Sequence, residues 1–332
     1  MKNNISPDLS LGLTTGTPIE ISLKLSKIAS KNKYKTIWIG DDILNYEAFT
    51  YTSIIANQVK NIRIGLGVIS PYVYPITTIA SAAAALAELT FNNFNLGLGV
   101  GGPIEVERLT GLKPKHPVNR LQNTVTLLKK IFNKEKVSFE YEEEKLVEFK
   151  LPFIKYDIPI YLGVRGPKLL ELAGKIADGV IFSAPISLLK DSLNIVKKAA
   201  VEAHRNPDDI KKILWNGFIL SNNINDLKLA KSVVLTIINS MSDSLLTSLK
   251  VDVNLFNQIK KEFLKGNKTQ AADYITDEMI REFCFFGELE ELKQQFIKIK
   301  SMGVDEIIVG PPFSSNPFKA VKAMSPKKIW GK

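Results

Sequence analysis

Apolar segments of strand length alternate with amphipathic segments of helix length along almost the whole chain, and this alternation limits the fold more than any other feature. "LSLGLTT" (Leu9 to Thr15) reads as a strand, and "IEISLKLSKIASKNK" follows it with Ile21, Leu25, Ile28 and Ala29 on one helical face. "TIWIG", "NIRIGLGVIS" and "FNLGLGVG" are the next three strands, each followed by a helical pattern. "IPIYLGV", "GVIFSA", "ILWNGFILS" and "DEIIVG" continue the series to eight. Strands alternating with helices imply parallel βαβ units, and eight such units close as a (β/α)8 TIM barrel. Two stretches exceed the pattern. "KVSFEYEEEKLVEFKLPF" reads as a β-hairpin with an acidic tip after the fourth helix. A long helical insertion from Asn225 to about Glu282 precedes the eighth strand. No Pro/Gly/Ser linker divides the chain, so residues 1–332 are expected to form a single domain.

Composition removes several function classes. Cys284 is the only cysteine, so no internal disulfide or thiolate metal cluster is expected, and "REFCFFG" around it reads as buried packing. His116 and His204 are the only histidines and lie far apart, against a zinc site or a Ser-His-Asp triad. The formal net charge is +10, with the basic residues scattered along helices. That leaves either a solvated lysine-rich surface or attraction to an anionic ligand. No clustered basic patch with interleaved aromatics points to nucleic acid. No apolar run approaches the roughly 20 residues of a membrane span, and "MKNNISPDLS" lacks a signal-peptide layout, so the expected location is cytoplasmic.

Gly97, Gly99 and Gly102 spell Gly-x-Gly-x-x-Gly, the spacing of a dinucleotide loop. That loop should follow a first strand and open a helix. Here the motif follows the fourth strand, Pro103 comes next, and the following helix is expected only from about Val118. Gly65 and Gly67 repeat the spacing one strand earlier; they either relieve barrel packing or leave room at the mouth for a flat ring system, with Gly99 beside them. "GVRGPK" (Gly163, Val164, Arg165, Gly166, Pro167, Lys168) opens a helix. It is either an ordinary proline-started helix or a phosphate loop, with Gly166 for close approach and Arg165 and Lys168 for charge. "GDD" ends the second strand, where barrels place catalytic groups. Continued strand geometry would send Asp41 and Asp42 to opposite faces, so that one reaches the pocket; the alternative is a helix-capping pair. Tyr72 and Tyr74 either stack on substrate or pack.

"NIRIGLGVISPYVYPITTIASAAAALAEL" followed by "LGLGVG" resembles the luciferase-like superfamily of barrels. "IPIYLGVRGPKLLELAGKIADGVIFSA" is similar to the branch that uses the deazaflavin coenzyme F420, within it to the methylenetetrahydromethanopterin reductases, and the C-terminal "FFGELEELKQQFIKIKSMGVDEIIVGPPFSSNPFKAVKAM" fits the same group. The resemblance implies an F420-dependent oxidoreductase that moves a hydride between the deazaflavin and a pterin substrate, as a homodimer or homotetramer and without a metal. An FMN-dependent monooxygenase, another F420-dependent dehydrogenase and a non-catalytic cofactor-binding barrel are the alternatives.

Carried onto this chain, the resemblance implies a cis peptide at Gly67-Val68 against the deazaflavin ring and Ser70 at the ring's edge. It implies the cofactor phosphate near "GVRGPK", and Ser183 and Ala184 along the cofactor's tail. Asp41 matches the family's aspartate, and Asp42 stands where the family has histidine. Thr14 stands where the reductases carry a glutamate, so Thr14, Asp41 and Asp42 are the candidate catalytic positions. The arginine usual before the fourth strand is replaced in the region of Asn93 and Phe94, which leaves Glu88 without that ion partner.

Overall fold

The computed structural model describes residues 6–141, 144–183, 185–221, 223–241, 243–247, 249 and 252–331. Its strands are β1 (Asp8–Thr14), β2 (Thr36–Gly40), β3 (Arg63–Ile69), β4 (Phe94–Leu98), β5 (Val137–Tyr141), β6 (Glu144–Phe149), β7 (Ile160–Gly163), β8 (Gly179–Ser183), β9 (Lys211–Leu220), β10 (Cys284–Gly287) and β11 (Glu306–Phe313). The order β9-β11-β1-β2-β3-β4-β7-β8 returns to β9, so eight parallel strands close into a barrel. The eight-strand expectation holds, and the hairpin is present as the antiparallel pair β5–β6, its tip at 142–143 lying outside the described residues.

The helices are α1 (Ile19–Lys31), α2 (Ala48–Gln58), α3 (Ile76–Leu89), α4 (Pro103–Thr110), α5 (Pro117–Phe132), α6 (Pro167–Ile176), α7 (Leu189–Glu202), α8 (Ile224–Ser240), α9 (Asp243–Thr247), α10 (Val253–Leu264), α11 (Lys268–Asp273), α12 (Asp277–Phe283), α13 (Leu289–Ser301), α14 (Pro317–Ala323) and α15 (Pro326–Ile329). None is long and apolar enough to cross a membrane among the described residues. On α1 the buried face is Ser22, Leu25, Ser26 and Ala29. Ile21, read on the same helical face as Leu25 and Ala29, is 36% exposed and lies at the edge of that buried face.

Two features were not expected. The four-residue strand β10 pairs with β9, Cys284 opposite Gly217. The long strand β9 therefore changes partner: β8 accompanies it as far as Ser183 opposite Trp215, and β10 takes over at Gly217. The second is α4. Pro103 does not stop a helix but starts one, with Gly102 as N-cap and Pro103 in the first turn, because the missing N–H falls where no helical partner exists.

The barrel interior pairs large rings with glycines of neighbouring strands. Trp38 is fully buried and meets Tyr161 edge to face at 5.3 Å. A Cβ on Gly65 would strike the Trp38 ring, and one on Gly67 would lie 2.9 Å from it. The room at Gly65 is thus taken by Trp38, which decides that position for packing. Gly97, Gly99 and Gly163 serve a different residue: a Cβ on Gly99 or Gly163 would lie 2.5 Å from a Val68 methyl, and one on Gly97 would lie 2.8 Å from the Gly67 Cα.

Candidate active site

A cavity of about 700 Å³ opens at the C-terminal ends of the barrel strands. Thr14, Asp41, Asp42, Gly67, Val68, Ser70, Gly163, Val164, Arg165, Gly166 and Ser183 all line it. Three expected positions among the described residues do not. Gly99 lies beneath Val68 as a packing residue. Pro167 and Lys168 in the first turn of α6 are exposed and off the cavity wall, whereas Leu169 of the same turn lines it. Ala184 lies outside the described residues.

The acidic end comes from the β2 exit. β2 stops at Gly40, so strand alternation no longer governs the next two residues, and Asp41 and Asp42 both face the cavity. This corrects the expectation that only one would. The Thr15 hydroxyl, fully buried, accepts the Asp42 backbone N–H at 2.8 Å and fixes the turn. Glu47 caps α2 through Phe49 and Thr50 N–H groups, so the capping role in this loop falls to Glu47 rather than to the aspartates.

Asp41 is the half-buried member, and its Oδ2 has no hydrogen-bond partner among the described residues. Burial pushes its pKa up to about 6, with repulsion from Asp42 and Glu47 adding and the neighbouring Tyr74 opposing. Tyr74 packs edge to face on Phe49 at 5.3 Å. The Tyr72 hydroxyl donates to the Lys115 carbonyl, and the Arg120 guanidinium covers its ring at 5.4 Å. Both tyrosines therefore pack. Ser70 lines the cavity but spends its hydroxyl on the Val100 carbonyl at 2.6 Å, tying the β3 exit to the β4 exit.

The opposite end is cationic. Arg165 is half-buried; its Nε donates to Ser183 Oγ at 2.8 Å and its Nη1 to Ser240 Oγ at 3.3 Å. Burial lowers its pKa, and no carboxylate pairs with it among the described residues. Beside it, Gly166 caps α6 with nothing within 4 Å of where a Cβ would sit. The protein itself does not need glycine there. Between the two ends the Gly67-Val68 peptide is cis, as the resemblance implies.

Several lining residues escaped the sequence reading. Gly101, Gly102, Pro103 and Glu105 lie at the start of α4, a helix the sequence did not lead one to expect; proline at a first helical position was the missed signal. Glu105 folds its carboxylate over Gly102, placing an acid at that helix N-terminus. Ser240 comes from the end of α8, within the helical insertion, and no local motif marks it. Trp215 lies within β9, and no local motif marks it. Glu88 pairs instead with Lys155, whose Nζ lies 2.7 Å from its Oε1.

Residues 4–306 match the family model described as luciferase-like monooxygenase. The chain is 28% identical over 311 residues to the 5,10-methylenetetrahydromethanopterin reductase of Methanolobus tindarius, covering 92% of this chain and 94% of that protein. The fold is similar to the coenzyme F420 dependent tetrahydromethanopterin reductase from Methanopyrus kandleri, with a TM-score of 0.86, 22% identity and 96% of each chain covered. It is also similar to an F420-dependent secondary alcohol dehydrogenase in complex with an F420-acetone adduct, with a TM-score of 0.77, 18% identity, and 97% of this chain and 99% of that one covered. On the span and position of these matches, the chain belongs to the luciferase-like monooxygenase family.

Proposed function

We propose that this protein is a coenzyme F420-dependent oxidoreductase whose substrate is a methylene-tetrahydromethanopterin-type pterin. The proposal includes a single catalytic domain over residues 1–332, assembled as a homodimer or homotetramer in the cytoplasm. The observation that carries it is the pairing of Arg165 with the open space at Gly166. A half-buried guanidinium held by two hydroxyls, and by no carboxylate among the described residues, calls for an anion. A glycine with empty space over it, at a helix N-terminus, lets a phosphate approach the backbone. The phosphate-bearing deazaflavin fits both, and the cavity volume suits a ring system with a second ligand.

Arg165, Gly166 and Ser183 would hold the cofactor's phosphate side, and Gly67 and Val68 would border its ring. When bound, the deazaflavin supplies a hydride from C5. The chain's own contribution lies at the acidic end. Opening a methylene bridge between two nitrogens requires a proton on the departing nitrogen. With a pKa of about 6, Asp41 retains a protonated fraction near neutrality and can deliver that proton. Asp42 and Thr14 border the same space, so Thr14 contributes a hydroxyl where the reductases are expected to carry an acid.

The relatives' names support the pterin. Titration with F420 and FMN tests the cofactor. Micromolar F420 binding is expected; FMN binding at that level with no deazaflavin binding overturns the reading and favours a flavin monooxygenase.

A further inference from the structure

We propose that Trp215 is a specificity-determining residue: its indole forms the floor of the cavity and fixes how deep the substrate's flat ring can sit. The substrate named in the test rests on the oxidoreductase reading; the floor itself does not.

Trp215 is half-buried, lines the cavity, and packs below on the barrel's interior column of Trp38, Tyr161, Ile181, Ile213 and Ile308. Its ring reaches from β9 across the barrel mouth. A Cβ on Gly310 of β11 would lie 2.7 Å from its Nε1, one on Gly12 of β1 would lie 3.0 Å from its Cζ2, and one on Gly40 of β2 would lie 3.4 Å from its Cη2. Three strands thus present glycine to one indole. At Gly12 and Gly310 a Cβ would crowd the ring, along with Ile308 at the first and the Asn216 carbonyl at the second.

The backbone places the ring at this level for a separate reason. Trp215 is the last β9 residue paired with β8; from Gly217 onward β9 pairs with β10. The floor therefore lies where the wall changes partners and the helical insertion begins to contribute, through Ser240. No described residue accepts a hydrogen bond from the indole N–H. A planar aromatic floor with a free donor suits a flat heteroaromatic ring, stacked or edge-on. Asp41 and Val68 line the same cavity, so the depth set by Trp215 would also govern how that ring meets them.

The test compares Trp215→Ala and Trp215→Phe with the unaltered protein, folding being checked by circular dichroism. The phosphate end is untouched, so F420 affinity should stay within about threefold. The KM for the methylene pterin should rise at least tenfold in Trp215→Ala, with kcat changed less, and Trp215→Phe should recover most of the loss. An unchanged KM in folded Trp215→Ala overturns the proposal. If that variant does not fold, Trp215→Phe decides: a threefold or greater rise in KM at constant F420 affinity supports the floor, and no rise overturns it. A readout free of any cofactor separates this from the functional reading. Calorimetric titration with indole should show binding to Trp215→Ala and none to the unaltered protein; absence of indole binding to the folded variant contradicts the floor whatever the enzyme's cofactor proves to be.

Discussion

At the residue scale, the two ends of the cavity are set by Asp41 and Arg165. Asp41 holds its proton up to about pH 6, above the ordinary carboxylate range. As the acid, it must be protonated, so the rate of pterin reduction should fall as pH rises through about 6. In Asp41→Asn that limb should vanish and the rate should drop roughly 100-fold or more, in keeping with the usual contribution of a positioned acid; a retained limb in the pH–rate profile contradicts the assignment. The same shift has a stability consequence. A folded-state pKa above the unfolded one favours folding while the group is protonated, and that contribution is lost as pH rises through about 6. Asp41→Asn should therefore melt higher than the unaltered protein at pH 8 and show little difference at pH 4. At the other end, Gly166→Asp adds a side chain into open space and a negative charge beside Arg165. It should weaken F420 binding at least tenfold and leave the melting temperature within a few degrees; unchanged binding would mean the phosphate sits elsewhere. These residues were legible in the sequence because each stands at a strand end or helix start. Trp215 and Ser240 were not. Strand periodicity tells which side chains face inward, not which layer reaches the mouth, and Ser240 arrives from an insertion.

At the scale of elements, Gly65 on β3, Gly99 just after β4 and Gly163 on β7 each sit against a bulky neighbour. Gly65 yields to Trp38, whereas Gly99 and Gly163 yield to Val68. Gly99→Ala should destabilise the fold by about 1–3 kcal/mol through overpacking. Combining it with Val68→Ala should recover part of that loss, seen as a non-additive double-mutant cycle in urea unfolding. Additive effects would show that Val68 is not what Gly99 accommodates. Strand β11 carries a second half-buried acid: Glu306 Oε1 accepts from Ser10 Oγ at 2.6 Å and from Trp38 Nε1 at 2.8 Å. Burial raises its pKa, so its ionised form costs stability as pH rises. Glu306→Gln keeps an acceptor without the charge, and should raise the denaturation midpoint near pH 8 while the difference shrinks toward pH 4. The misread helix α4 belongs to this scale too. Pro103 breaks a continuing helix but begins a new one, and one chain cannot show which applies until Gly102 is placed as an N-cap.

For the whole molecule, the repeated alternation of strand and helix carried the barrel, because parallel strands buried on both faces need crossover helices. The hairpin and the helical insertion were visible as breaks in that rhythm. Strand β10 was not: four residues directly after a helix give no periodicity to read, and only its pairing with β9 defines it. The resulting architecture sets an acidic end and a cationic end across one cavity, with Val68 and Trp215 among the residues between them. The central claim is that this cavity joins deazaflavin and pterin in one hydride transfer. The direct measurement is the oxidation of reduced F420, followed by its visible absorbance, when a methylene-tetrahydromethanopterin is added to the purified protein. Enzyme-dependent return of the oxidised deazaflavin together with the methyl pterin, in equal amounts, is the predicted result. Tight F420 binding with no oxidation by any methylene pterin would contradict it.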